Sequence, residues 1–142
     1  MRNQGGPIAF EPVGRILPDG ETMRSVLVVE DDVLLAFALA SDLKDGGFKV
    51  VGPALTLEAG KRLLADNSID VACLDVRLGS GETSVPIAQS LAAQGIPFVF
   101  LTGYPVAYLP LDMRDRPKLD KPFQPQALVE CLDGLVASQG RT

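Results

Sequence analysis

The stretch SVLVVEDDVLLAF (residues 25–37) decides how the chain is read. An apolar run at 26–29 leads straight into three consecutive acids, Glu30, Asp31 and Asp32. Adjacent carboxylates repel, and most strongly beside a buried strand, where the effective dielectric is low. Such a run needs either a cation to neutralise it or a reaction that uses it. Behind the acids, residues 33–40 read VLLAFALA, a helix apolar on almost every side, with Asp32 placed as its N-cap.

Composition narrows the chemistry. At 142 residues, 46% of them apolar, the chain fits one domain with a sizeable core. It has no His and no Trp, so the commonest general base and metal ligand is absent, and chemistry must run on carboxylates, Lys, hydroxyls or the two Cys. A net charge of −5 with scattered basic residues argues against a nucleic-acid surface, because phosphate contacts need clustered Lys or Arg. Cys73 and Cys131 each sit in an apolar run without metal-ligand spacing, which reads as two unpaired thiols in a reducing, cytoplasmic setting. No stretch reaches the ~18 apolar residues of a membrane span, and no secretory signal opens the chain.

Organisation changes near residue 25. Residues 1–24 carry Gly5, Gly6, Pro7, Pro12, Pro18 and Gly20 without periodicity, and read as an irregular arm. From there strands alternate with helices. Strands are expected at 26–30, 49–54, 71–75, 97–102 and 117–120; helices at 32–45, 57–65, 84–94 and 125–138. Gly46–Gly47 and Gly95 follow two of the helices, as left-handed caps do, and Pro86 and Pro125 fall in first turns. In the last helix Leu128, Leu132, Leu135 and Val136 share one stripe. Alternation of this kind predicts a three-layer α/β/α sandwich around a five-stranded parallel sheet, over residues 25–138, followed by a tail at 139–142.

Ligands in that architecture bind beyond the carboxyl ends of the central strands. Strand one ends in Glu30, Asp31 and Asp32, strand three in Asp75, strand four in Thr102 before Gly103, and strand five in Lys121 before Pro122. Each residue alone has an ordinary structural explanation as a cap, a turn residue or a solvated side chain. Their joint occurrence at successive strand ends points to a shared site. Clustered carboxylates without His suit Mg²⁺, which takes one or two carboxylates and keeps several waters. An Asp beside it can attack a phosphoryl group and form an acyl phosphate, a transfer that needs chiefly positioning and charge neutralisation.

The pieces VLVVEDD, CLDVRLG, FLTGY and DKPF stand in order along the chain. Through them it resembles the receiver domain of two-component response regulators, which implies a flavodoxin-like fold with the strand order 2-1-3-4-5. The resemblance implies that Asp75 is the phosphoacceptor. It implies that Glu30 and Asp31, together with Asp75 and the backbone carbonyl of Arg77, hold Mg²⁺. Thr102 matches the hydroxyl that moves to the phosphoryl group, and Lys121 the lysine that pairs with it, with a Lys121–Pro122 bond often cis. Partners implied are a histidine kinase or histidine phosphotransfer protein docking through helix one, and a homodimer through helices one and five.

The family pattern is not met everywhere. Lys118 stands where an aromatic switch residue is usual, three positions before Lys121. FLTGY resembles a motif of alphaproteobacterial stand-alone receivers, so Tyr104 is expected to relay the state of Thr102. Pro105, Pro110 and Pro117 break the stretch where a fourth helix belongs, so it should be short or disordered, with at most a turn between 111 and 115. The excess apolar surface of helix one reads as a contact site, or as a seat for the arm's Ile8, Phe10, Ile16 and Leu17. The expected function is a single-domain phospho-switch or phosphate sink acting through protein contacts, not an enzyme on other substrates. Two alternatives stay open: a receiver-like scaffold independent of phosphate, and a small Mg²⁺-dependent aspartyl-phosphate hydrolase, against which Arg77 stands where such enzymes carry a second carboxylate.

Overall fold

A computed structural model describes residues 23–103 and 109–139. The expected arm falls almost wholly outside them, as do residues 140–142 of the tail and the loop holding Tyr104. The described elements run β1 (Ser25–Val29), α1 (Val33–Asp45), β2 (Lys49–Ala54), α2 (Leu57–Asp66), β3 (Val71–Asp75), α3 (Val85–Ala93), β4 (Phe98–Thr102), β5 (Lys118–Asp120) and α4 (Pro125–Gln139). The five strands form one parallel sheet, as the alternating pattern predicts, in the order β2-β1-β3-β4-β5 that the family resemblance implies.

The three central strands, β1, β3 and β4, are buried along their whole length, which is why they read as unbroken apolar runs. Period-two alternation splits their side chains between two cores. Leu27, Val29, Ala72, Leu74, Phe98 and Phe100 join Leu64 of α2 and Ile87 and Leu91 of α3. Val26, Val28, Val71, Cys73, Val99 and Leu101 join Leu39 and Leu43 of α1 and Leu128 and Leu132 of α4. Leu135 and Val136 pack against this second cluster, so the expected stripe of the last helix is its inner face.

Local signals act as read. Asp32 caps α1, its Oδ1 accepting from the Leu35 N–H at 3.1 Å. Thr56 caps α2 in the same way, accepting from the Ala59 N–H at 3.0 Å. Gly47 and Gly95 take φ of 97° and 73° after α1 and α3, the left-handed region that costs a residue with Cβ ~1 kcal/mol or more. Pro86 lies in the first turn of α3 and Pro125 opens α4. Cys73 is buried and Cys131 half-buried, both free.

Between β4 and β5 the described chain holds a single 3₁₀ turn, Leu111–Met113, matching the short element expected there. Among the described residues, no helix is long and apolar enough to cross a membrane.

Candidate functional site

Register brings the acids together. β1 pairs with β3 at Val28–Cys73 and Val29–Leu74, and one step further lie Glu30 and Asp75. Both continue the alternation of Val28 and Cys73, facing the α1 and α4 side of the sheet. Lys121 continues that of Leu119, which packs on the same side. Strand order and side-chain period thus place Glu30, Asp75 and Lys121 at one corner.

The contacts follow. Lys121 Nζ donates to Glu30 Oε1 at 2.9 Å and lies 3.3 Å from Asp75 Oδ1. Oxygens of Glu30, Asp31 and Asp75 lie within 4.8 Å of one another. Glu30 is 1% exposed and Asp75 5%, so two carboxylates share a poorly solvated corner with one ammonium. Glu30 Oε2 also accepts from the Asp32 N–H at 3.1 Å, and the Glu30 N–H donates to the Ala54 carbonyl at 2.9 Å. The most buried acid is thereby held from both ends. Burial first, then the charge of Glu30, pushes the Asp75 carboxyl up to about 8, against the opposing pull of Lys121. For Lys121, burial alone would lower its pKa, but the hydrogen bond to Glu30 and the charge of Asp75 outweigh it and raise it.

These groups line a cleft of ≈ 580 Å³ formed by Glu30, Asp31, Asp32, Leu35, Asp75, Arg77, Gly103 and Lys121. Three hard carboxylate oxygens at such separation are a donor set that fits Mg²⁺. Asp32, one of three look-alike acids in the sequence, divides off from its neighbours as the helix cap. The Lys121–Pro122 bond is cis. Thr102 is buried at the strand end in the alternation of Phe98 and Phe100, and it is the next residue, Gly103, that lines the cleft. The Lys121 N–H donates to the Thr102 carbonyl at 2.9 Å, which ties the ends of β4 and β5 together. Leu35 and Gly103 are cleft residues that carry no chemical signal in the sequence. Tyr104 lies outside the described residues.

No family model matches the chain. It is similar to SdrG from Sphingomonas melonis Fr1, at 38% identity over 80% of this chain and 97% of SdrG, with a TM-score of 0.69. A response regulator receiver domain protein (CheY-like) from Methanospirillum hungatei JF-1 shares the fold, with a TM-score of 0.72 at 20% identity over 84% of this chain and 98% of that one. Regulatory protein VirG of Agrobacterium fabrum is 32% identical over 85 residues, 59% of this chain and 33% of VirG. The chain belongs to the receiver-domain family of response regulators. It spans about a third of the length of the VirG relatives it matches.

Lys118 of this receiver has a definite task. Its Nζ donates to the Arg114 carbonyl and, at 2.6 Å, to that of Arg116. Arg114 Nε donates to the Leu109 carbonyl at 2.9 Å, and the Arg116 guanidinium stands 5.1 Å from the Phe98 ring centroid. With Leu109 and Met113 buried in the first core, the segment before β5 is pinned along its described length.

Proposed function

We propose that this receiver is a phosphorylation-dependent switch in two-component signalling, with Asp75 as phosphoacceptor. The observation that carries the reading is the Lys121 ammonium bridging Glu30 and Asp75, with Asp31 beside them, where register brings the strand ends together. Glu30, Asp31, Asp75 and the backbone carbonyl of Arg77 would hold Mg²⁺, which supplies charge neutralisation for the transferred phosphoryl group. The donor is a phosphohistidine of a kinase or phosphotransfer protein. An Asp75 oxygen forms the new bond to phosphorus as the phosphorus–nitrogen bond breaks, and the electron pair leaves with the imidazole. The acyl phosphate adds nearly two negative charges, which Lys121 pairs and toward which the Thr102 hydroxyl turns. Tyr104 follows Thr102, and partners read the result through protein contacts, with α1 as the docking helix.

The test treats wild type and Asp75→Asn with a small phosphodonor and Mg²⁺, following labelled protein and released phosphate. Label on wild type, absent from Asp75→Asn, is expected. Rapid turnover of many phosphate esters would instead make the chain a hydrolase. Absence of label on wild type would make it a scaffold independent of phosphate.

A further inference from the structure

Strand β1 has two unlike neighbours. Against β3 it runs in regular register, from Val26–Val71 to Val29–Leu74. Against β2 the register slips. Leu27 pairs with Val51 but Val29 with Ala54, so two steps of β1 meet three of β2, and the Gly52–Pro53 pair supplies the extra residue. The side chains agree. Val51 and Ala54 both join the first core, although strict alternation would put residues three apart on opposite faces. A bulge of this kind re-aims the chain beyond it.

Two residues make the bulge. Pro53 has no N–H to give a ladder, and strands tolerate proline at bulges. Gly52 takes a φ of 109°, a conformation open at little cost only to glycine. A Cβ on Gly52 would stand 2.8 Å from the Ala54 nitrogen and 3.0 Å from the Val28 carbonyl oxygen, backbone atoms that cannot swing aside. Gly52 is itself exposed and lines no part of the acidic cleft.

What the bulge delivers lies two residues on. The Ala54 carbonyl accepts from the Glu30 N–H at 2.9 Å, just past Val29, the last residue of β1. Glu30 in turn joins the parts of the corner, its Oε1 accepting from Lys121 at 2.9 Å and its Oε2 from the Asp32 N–H at 3.1 Å. In an unbulged register Pro53 would stand opposite Val29. The Ala54 carbonyl would then be carried on by one residue, ~3.3 Å, out of reach of the Glu30 N–H.

We propose that the Gly52 bulge positions the acidic corner, by fixing the backbone of Glu30 and with it the spacing of the Glu30 carboxylate from Asp31 and Asp75. This rests on the reading of the corner as a Mg²⁺ site. Gly52 is a positioning residue, acting through Ala54 and Glu30 without touching the metal.

The full-length chain tests this as Gly52→Ala, beside Met113→Ala as a variant weakened in the first core. Hydrogen exchange at the Glu30 amide is followed without metal, and Mg²⁺ affinity is measured by calorimetry. Removing the support of a ligating side chain typically costs 10–100-fold in metal affinity. About tenfold weaker binding is expected for Gly52→Ala, and wild-type affinity for Met113→Ala. The Glu30 amide should exchange faster in Gly52→Ala while the amides of β3 keep their protection. Should the alanine variant not fold, Gly52→Asn takes its place, since Asn accepts a positive φ more readily than most residues with a Cβ. Wild-type affinity or wild-type Glu30 exchange in the folded variant would overturn the proposal. So would equal weakening in Met113→Ala, because affinity would then follow stability alone. A wild type that binds no Mg²⁺ would overturn the metal reading instead, and exchange at Glu30 would still decide whether the bulge holds its backbone.

Discussion

The corner at Glu30, Asp75 and Lys121 lies past the carboxyl end of β5 and the segment that ends at Lys118 enters at its amino end, and both are rich in charge. They are built by opposite means. At the corner, three carboxylates crowd within 4.8 Å, and one ammonium serves two of them at 2.9 and 3.3 Å. In the segment, Lys118 and Arg114 donate to backbone carbonyls of Arg114, Arg116 and Leu109. Charge left in excess makes a place for a ligand, because a cation fits among unpaired carboxylate oxygens. Charge matched to carbonyls makes structure. The difference teaches that one end of this receiver keeps clustered, unequally paired carboxylates, whereas the stretch leading into β5 is built around a lysine.

The largest expected effect comes from removing the ammonium at the corner. Lys121→Met removes the ammonium that pairs with Glu30, 1% exposed, and with Asp75. Breaking a buried pair typically costs 3–5 kcal/mol. Here about 3 kcal/mol is expected, at the low end, because the Lys121 side chain is 26% exposed and Asp75 can take up a proton. Urea unfolding without metal measures the loss, and labelling by a phosphodonor should fall steeply in the same variant. Unchanged stability would mean that the ion pair is as well solvated as a surface one, and the contrast with the segment would lose its basis.

Met113→Ala probes the other region. Met113 is 3% exposed in the first core, and truncating a buried Met costs ~2–5 kcal/mol. A loss near ~2 kcal/mol is expected, since the site lies close to a turn and can partly collapse. Asp75 labelling should persist, because no contact of the corner is touched. Loss of labelling together with stability would show that the two regions are one unit.

Much of this division can be read from residue order. Unbroken apolar runs marked β1, β3 and β4 because helices cover both of their faces, and the strand-end rule then gathered Glu30, Asp75 and Lys121. Asp32 was legible as a cap from its place before an apolar helix. Lys118 was legible only as a missing aromatic. Its hydrogen bonds go to carbonyls whose positions depend on the path of an irregular segment, and no side-chain pattern encodes that path. Leu35 and Gly103 were hidden for a related reason, since an apolar side chain and a glycine line a cleft through backbone placement. The exposed stripe of α1, Leu34 and Phe37, was visible as excess hydrophobicity, but which side faced out required the sheet.

The corner should also respond to pH in a direction set by Asp75, whose carboxyl is raised from 3.8 to about 8. A raised carboxylate binds its proton more tightly in the folded protein than in the unfolded chain. Its contribution to stability is therefore full below pH ~4 and is lost as pH climbs toward about 8. Metal-free wild type should lose stability across that window relative to Asp75→Asn, which cannot titrate. Mg²⁺ requires the ionised carboxylate, so below about pH 8 its binding should release a proton, and affinity should rise with pH. Calorimetry in buffers of different ionisation enthalpy reads the proton count. A pH-independent affinity would place Asp75 outside the metal's donor set.

The smallest expected effect is the one that isolates the segment. Lys118→Met keeps the length of the side chain but removes the donor to the Arg114 and Arg116 carbonyls. Hydrogen bonds from a charged group contribute ~1.5–3 kcal/mol when buried, and Lys118 is only half-buried, so about 1 kcal/mol is expected. The loss should be local. Amide exchange should accelerate between residues 109 and 117 and stay unchanged at Glu30 and Asp75, and Mg²⁺ affinity should match wild type. Faster exchange confined to that stretch would establish that Lys118 holds its backbone. Acceleration extending along β4 to Thr102 would mean instead that the segment and the corner at Asp75 move together, with Lys118 as a link between them rather than a local clamp.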